Sequence, residues 1–352
     1  MRVAVAMSGG VDSSVAAALL VAQGHDVVGL HMKLHDAPPG SASCCGLDDA
    51  LDAAAVADRL QIPYFAFDLR EVFHARVVDD LVNERIAGRT PIPCVQCNGQ
   101  VKFPELLNHA TALGCEALAT GHYARLIDVD GAPTLHTAAD PSRDQSYFLW
   151  SVDPALWARV LFPLGDVEKT TVREEARRLG LPVADKPDSQ EVCFVPDGDH
   201  GAFVSRTLPE LSGVGRVLDE SGAVVGKHDA YWRFTPGQRR GVGVALGAPA
   251  FVEQIDPLTH DIHLTTDPKR LLSTQFFARR AVWHGPVVGD DLTVRVRHRG
   301  RRIPCAVRQT DPVECTLLAP ERAVAAGQSA VWYRGERVVG GALISKTVAA
   351  WS

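Results

Sequence analysis

An open parallel α/β sheet with helices on both faces, followed by two small β-rich domains, is the architecture this 352-residue sequence predicts. Three observations carry the prediction. Short apolar runs alternate with helical segments over the first half of the chain. A glycine turn, "SGGVDSS" at residues 8–14, stands between the first apolar run and the first helix. After about residue 205 the texture changes to short β-rich runs broken by glycine and proline. The expected domains are 1–205, 206–269 and 270–352.

The elements follow in order. Residues 3–6 form a first strand, and "VDSSVAAALLVAQG", rich in Ala and Leu, forms a helix that stops at Gly24. "HDVVGLHM" (25–32) reads as a strand, "LDDALDAAAVADRLQI" as a helix and "PYFAFDL" as a strand. "VFHARVVDDLVNERIAG" and "FPELLNHATALG" read as helices, and "EALATGHYARLI" (116–127) as one strand before a turn at Asp130-Gly131. Residues 166–180, "DVEKTTVREEARRLG", read as a surface helix.

Composition narrows the function. Hydrophobic residues make up 46% of the chain, no apolar run reaches the roughly 20 residues a bilayer span needs, and the first 20 residues lack signal-peptide character. A cytoplasmic protein with no membrane partner is expected. The net charge of −6 divides unevenly: residues 269–352 hold 14 Lys+Arg against 6 Asp+Glu, or +8, which leaves −14 for residues 1–268. A basic C-terminal module on an acidic body suits a polyanionic partner; a solvated basic face is the other reading. Eight cysteines, at 44, 45, 94, 97, 115, 193, 305 and 315, are too sparse for a disulfide scaffold.

A turn between a parallel strand and a helix presents free backbone N–H groups at the positive end of the helix dipole, which suits an anion. The turn Ser8-Gly9-Gly10-Val11-Asp12-Ser13-Ser14 lacks the lysine of a GxxxxGK[ST] loop and the GxGxxG spacing of a dinucleotide fold. It resembles the pyrophosphate-binding loop of the PP-loop ATP pyrophosphatases, which split ATP between the α and β phosphates and adenylate an oxygen of their substrate. "GRTPIPCVQCNGQVKF" (88–103), "ATGHYARL" (119–126), "RDQSYFLW" (143–150), "KPDSQEVCFV" (186–195), "TPGQRRGVGVA" (235–245) and "GQSAVWY" (327–333) extend the likeness over nearly the whole chain. In this order they are similar to the bacterial tRNA 2-thiouridylase family, which replaces the C2 oxygen of the wobble uridine, U34, with sulfur.

The resemblance implies a division of labour. Ala6, Met7, Ser8, Gly9, Gly10, Val11, Asp12 and Ser13, with Met32 and Gly121, match the ATP site, and Asp12 and Ser13 are the expected polar ligands around phosphate and Mg2+. Cys97 matches the family's nucleophile and Cys193 its persulfide-bearing residue. His122, Arg143, Asp144, Gln145 and Gln328 match positions that contact the anticodon arm of tRNA. Arg297-His298 falls where the family often has Arg-Tyr. The chemistry needs two thiols: a uracil carbonyl oxygen leaves only after adenylation, a persulfide can deliver the sulfur, and a second thiol can release the product as a disulfide forms. A persulfide donor or relay protein is the implied partner.

One segment departs from the family pattern. Where members read Asn-Pro-Asp against the target base, this chain has Ile92-Pro93-Cys94, which makes a CxxC with Cys97. With Cys193 there are then three thiols, and three cysteines can hold a [4Fe-4S] cluster with one iron open. Persulfide relay and cluster both stand as readings here. Cys115, Cys305 and Cys315 read as buried small hydrophobes, and Cys44-Cys45 as incidental thiols in a mobile loop. The rivals to tRNA thiolation are adenylation of a small metabolite and a sulfur-trafficking protein that binds tRNA without modifying it.

Overall fold

The computed structural model describes residues 1–36, 47–188, 192–195, 197–287 and 291–350. Cys44 and Cys45 lie outside them. The chain divides into two compact units, one of residues 1–78, 93–198 and 336–338, the other of residues 79–92, 199–335 and 339–352.

The first unit begins with β1 (Arg2–Ala6), α1 (Val11–Ala22), β2 (Asp26–Lys33), α2 (Leu47–Leu60), β3 (Tyr64–Asp68) and α3 (Arg70–Phe73), which continues as a π turn over His74–Val78. Residues 79–86 form α4 (Asp79–Ile86), assigned to the second unit. The first unit resumes with α5 (Pro93–Cys97), a π turn (Asn98–Lys102), α6 (Phe103–Ala112), β4 (Ala117–Thr120), β5 (Ala124–Val129), β6 (Ala132–Thr137), β7 (Val160–Leu161) and α7 (Lys169–Arg178). Its sheet has the order β3-β2-β1-β4-β7, and every pairing is parallel. Val3 and Val5 of β1 enter an apolar cluster with α1, α2 and α7, while Ala4, on the opposite face by strand alternation, is buried as well. A central parallel strand is covered on both faces, and its run of small aliphatics fits that place.

Two expectations change. Residues 116–127 are two strands, because β4 stops at Thr120 where the chain meets the start of α1, and β5 then turns away to pair antiparallel with β6 across Asp130-Gly131. The helix at 166–180 carries a buried stripe, Lys169, Val172 and Ala176, spaced to face one side. That stripe brings a lysine into the interior.

The second unit contains α8 (His200–Thr207) and a four-stranded sheet built from β8 (Gly215–Leu218), β9 (Val224–His228), β10 (Phe251–Asp256) and β11 (Asp261–Thr265), in the order β10-β11-β8-β9. Six further strands, β12 (Leu272–Trp283), β13 (Leu292–Arg295), β14 (Ile303–Arg308), β15 (Val313–Arg322), β16 (Ser329–Arg334) and β17 (Arg337–Ala349), close a barrel through the β12–β17 pairing. Cys305 and Cys315 lie in its core with Trp332, and Cys115 is buried in the first unit. α8 straddles the boundary expected near residue 205, where no element was read; Asp199 caps it by accepting the Ala202 N–H at 2.8 Å. Buried Glu84 pairs with Arg89 at 2.5 Å and Arg279 at 2.6 Å. Burial alone would raise its carboxyl, but the two guanidiniums bring it below the usual range. Other arginines after residue 268 are paired too: Arg280 with Asp80, which like Glu84 lies outside that segment, and Arg301 with Glu321 and Arg334 with Asp291 within it.

Candidate nucleotide and thiol site

The glycine turn sits at the carboxyl end of β1, beside the point where the sheet order reverses between β1 and β4. Ligands of open α/β sheets bind in such crevices. Gly10 stands at the N-cap of α1 and offers no side chain to the helix's first N–H groups, so these are left for an anion. Gly9 has φ +71°, and a Cβ there would fall 2.3 Å from the Asp49 carbonyl oxygen. Gly121 comes so close that a Cβ would lie 2.7 Å from the Ser13 nitrogen. Both glycines are therefore required by space. Gly9→Ala should cost about 2 kcal/mol or more, seen as a lowered melting temperature; an unchanged melt would mean the turn relaxes freely.

Ser13 is buried, and its hydroxyl accepts from the Ser8 N–H at 3.1 Å and donates to the Gly10 carbonyl at 3.2 Å. Asp12 lies at the mouth. Its Oδ1 accepts from the Tyr123 hydroxyl at 2.7 Å and from Lys169 Nζ at 2.6 Å. Lys169 also pairs with Asp188 at 2.8 Å, and Asp188 in turn holds Arg173 at 2.7 Å and Arg143 at 2.9 Å. Burial alone would raise the Asp188 carboxyl, but the bond from Lys169 and the surrounding cations bring it below the usual range. Burial, then the Asp12 charge, raises the Tyr123 phenol and keeps it protonated. On the far side of the turn, Lys186 bonds the Gly9 carbonyl at 3.1 Å, Asp49 at 2.7 Å and Asp52 at 2.5 Å. Burial alone would lower that ammonium, and the two carboxylates raise it instead. The loop has no lysine of its own; the fold supplies two. Neither was read as a site residue: Lys169 is 157 positions from Asp12 with nothing local to mark it, and Lys186, although it opens the segment 186–195, lies 137 positions from Asp49.

A cavity of about 310 Å³ opens over this turn, with Ala6, Met7, Leu30 and Met32 as an apolar wall and Lys102, Arg143 and Lys186 as cations. His31 donates from Nδ1 to the Met7 carbonyl at 2.9 Å and fixes the wall. Most expected ATP positions and three expected tRNA positions, His122, Arg143 and Gln145, line this one cavity. His122 stacks on Phe103 and bonds Thr120 Oγ1 at 2.7 Å, and burial together with the Lys102 charge holds its ring neutral. Gln145 and Tyr123 exchange bonds at 2.9 Å, the Gln145 N–H to the Tyr123 carbonyl and the Tyr123 N–H to Gln145 Oε1. Asp144 is buried and accepts from the Ala138 and Ser146 N–H groups, so it shapes this loop from within.

The CxxC forms α5, with Pro93 at its start, and this helix had no counterpart in the pattern reading. Cys94 is exposed and Cys97 half-buried. The π turn after Cys97 is pinned on several sides: Asn98 donates to the Phe148 carbonyl at 3.0 Å, Ser151 to the Val95 carbonyl at 2.7 Å, and Arg76 to the Gln100 carbonyl at 3.0 Å. Gly99 lies flush on Ser151, where a Cβ would be 2.6 Å from Oγ. The widened turn sends Lys102 into the cavity. Cys193 is half-buried beside Phe194, whose ring meets Phe73 edge-on at 5.3 Å.

Among the described residues no three His, Cys, Asp or Glu side chains are grouped so as to hold a metal ion, so Cys94, Cys97 and Cys193 do not form a three-ligand set in this conformation. Asp12 suits magnesium better, as a hard oxygen ligand at the anion site, while the Ser13 hydroxyl is spent on the loop itself. In the second unit Gln328 donates to the Thr90 carbonyl at 2.9 Å, and Arg297, after β13, pairs with Glu321 and donates to the Arg322 carbonyl at 3.0 Å. His298 lies beside it, half-buried.

Comparison with known proteins matches three family models in sequence order: the tRNA methyl transferase HUP domain over residues 1–197, the tRNA methyl transferase PRC-barrel domain over 201–265 and the aminomethyltransferase beta-barrel domain over 273–344. The tRNA-specific 2-thiouridylase MnmA of Acidothermus cellulolyticus is 44% identical, over 99% of this chain and 98% of its own. Those of Rhodospirillum centenum and Rickettsia typhi are 42% and 40% identical, over 99% and 98% of this chain and 92% and 99% of theirs.

Proposed function

The chain belongs to the family of tRNA-specific 2-thiouridylases, and from that premise we propose that it is a tRNA-uridine 2-sulfurtransferase that uses ATP to replace the C2 oxygen of the wobble uridine with sulfur. The observation that carries the reading is the single cavity in which the glycine turn, Lys102, Arg143 and the loop 121–123 meet. ATP lies with its phosphates on the α1 N-terminus and its base against Met7, Leu30 and Met32. Asp12 would hold a Mg2+ ion, which would supply positive charge against the leaving pyrophosphate. The uridine C2 oxygen attacks the α phosphorus, pyrophosphate leaves, and the adenylated base loses AMP readily. His122, neutral and stacked, faces the extruded base.

Sulfur follows by a persulfide relay. The terminal sulfur of a Cys193 persulfide attacks C2 as AMP departs. Cys97 thiolate then attacks the Cys193 Sγ, forming a Cys97–Cys193 disulfide and releasing 2-thiouridine, and an external reductant restores the thiols. An external persulfide donor reloads Cys193. The basic residues after 268, with Gln328, Arg297 and His298, grip the anticodon arm through its phosphates, and Asp144 acts by shaping the contact loop. The proposed domains are 1–205, 206–269 and 270–352.

The test is the mass of the wobble nucleoside after tRNA is incubated with the protein, ATP and a sulfur source. One sulfur should replace one oxygen, with one pyrophosphate released per uridine. Pyrophosphate release that follows a small metabolite and ignores tRNA would favour the other adenylating enzymes, and tRNA binding with no ATP cleavage would favour a sulfur carrier.

A further inference from the structure

Five charged side chains join the loop expected to touch tRNA to the loop expected to hold ATP. Arg143 Nη1 bonds Asp188 Oδ2 at 2.9 Å; on the other oxygen, Asp188 Oδ1 accepts Lys169 at 2.8 Å and Arg173 at 2.7 Å; and Lys169 reaches Asp12 Oδ1 at 2.6 Å. The two ends differ in access. The Arg143 side chain is 41% exposed and that of Lys169 only 7%, so a polyanion can reach the first but not the second. Arg173 is anchored to the carbonyls of Ala184 and Lys186 at 3.2 Å each and stays in place. Lys169 is thus one ammonium shared between two carboxylates, and whichever carboxylate is less compensated holds it more tightly.

We propose that Asp188 is a positioning residue through which tRNA licenses ATP binding at Asp12. A tRNA phosphate draws Arg143 off Asp188, because guanidinium and phosphate match in geometry and charge. Asp188, less compensated, takes a larger share of Lys169. Lys169 loosens from Asp12, and the freed Oδ1 turns to the metal-bound nucleotide. Linkage makes the effect reciprocal, so ATP tightens tRNA by the same factor. The inference rests on the proposed function for the identity of both ligands.

Equilibrium affinity for a non-cleavable ATP analogue with Mg2+, measured on the full chain with and without unmodified tRNA, tests it with no turnover. In the wild type tRNA should tighten the analogue by about tenfold. Asp188→Asn should leave binding weak and insensitive to tRNA, within about twofold, since Lys169 then stays on Asp12. Arg143→Gln should do the opposite at the start and the same at the end: tight binding without tRNA and no further gain with it. Because Arg143 is a surface side chain, that variant decides the matter if Asp188→Asn melts early. Equal gains in wild type and Asp188→Asn would overturn the coupling. So would wild-type binding of both ligands with no gain, or an Arg143→Gln variant weaker than wild type without tRNA. Failure of the wild type to bind analogue or tRNA at all would overturn the proposed function, and this inference with it.

Discussion

Asp12→Ala is expected to reduce tRNA-dependent pyrophosphate release by at least about a hundredfold, the scale on which removal of one group stabilising transition-state charge is felt. The carboxylate stands beside the open N-terminus of α1, where it offers a hard oxygen to magnesium and holds both Tyr123 and Lys169. Its loss removes the metal ligand and leaves the nearly buried Lys169 ammonium to Asp188 alone. Asp12→Asn, which keeps the shape and an acceptor oxygen but not the charge, should lose nearly as much rate with less effect on the melt. tRNA affinity, measured by filter binding, should move by no more than about twofold in either variant, within the small effect expected away from the binding contacts. Pyrophosphate release near the wild-type rate would sink the assignment of Asp12 to the metal.

Replacement of the three cysteines should separate sharply. Cys97→Ser and Cys193→Ser should each abolish thiolation, since a hydroxyl neither carries a persulfide nor closes a disulfide. Cys193→Ser should still release pyrophosphate on adding tRNA, because adenylation precedes sulfur transfer. Cys94→Ser should keep most thiolation: Cys94 is exposed near the start of the short α5, while Cys97 is half-buried at the join to the pinned π turn. Anaerobically purified protein should be colourless and should thiolate tRNA once a persulfide donor is added. Brown protein with about four irons per chain, together with equal loss of activity in all three variants, would replace the relay with a cluster and make Cys94 a site residue.

What could be read from the sequence was local. The strand, glycine turn and helix at 2–22 follow from backbone rules acting over a few residues: small aliphatics for a covered strand, two glycines at a tight turn, an Ala- and Leu-rich helix. The parallel sheet followed from their alternation, and the family from motifs in order. The tertiary structure decided what neutralises that turn. Lys169 reaches Asp12 across 157 residues and Lys186 reaches Asp49 across 137, and Asp188 joins the first of these pairs through Lys169. Lys169 reaches Asp12 because Val172 and Ala176 on α7 pack beside α1 and carry the lysine inward with them. The break in residues 116–127 is of the same kind, forced at Gly121 by the backbone of Ser13 rather than by its own sequence. Residues near in sequence share dihedral constraints and leave a readable pattern; charges brought together by packing leave none until the helices that bear them are docked.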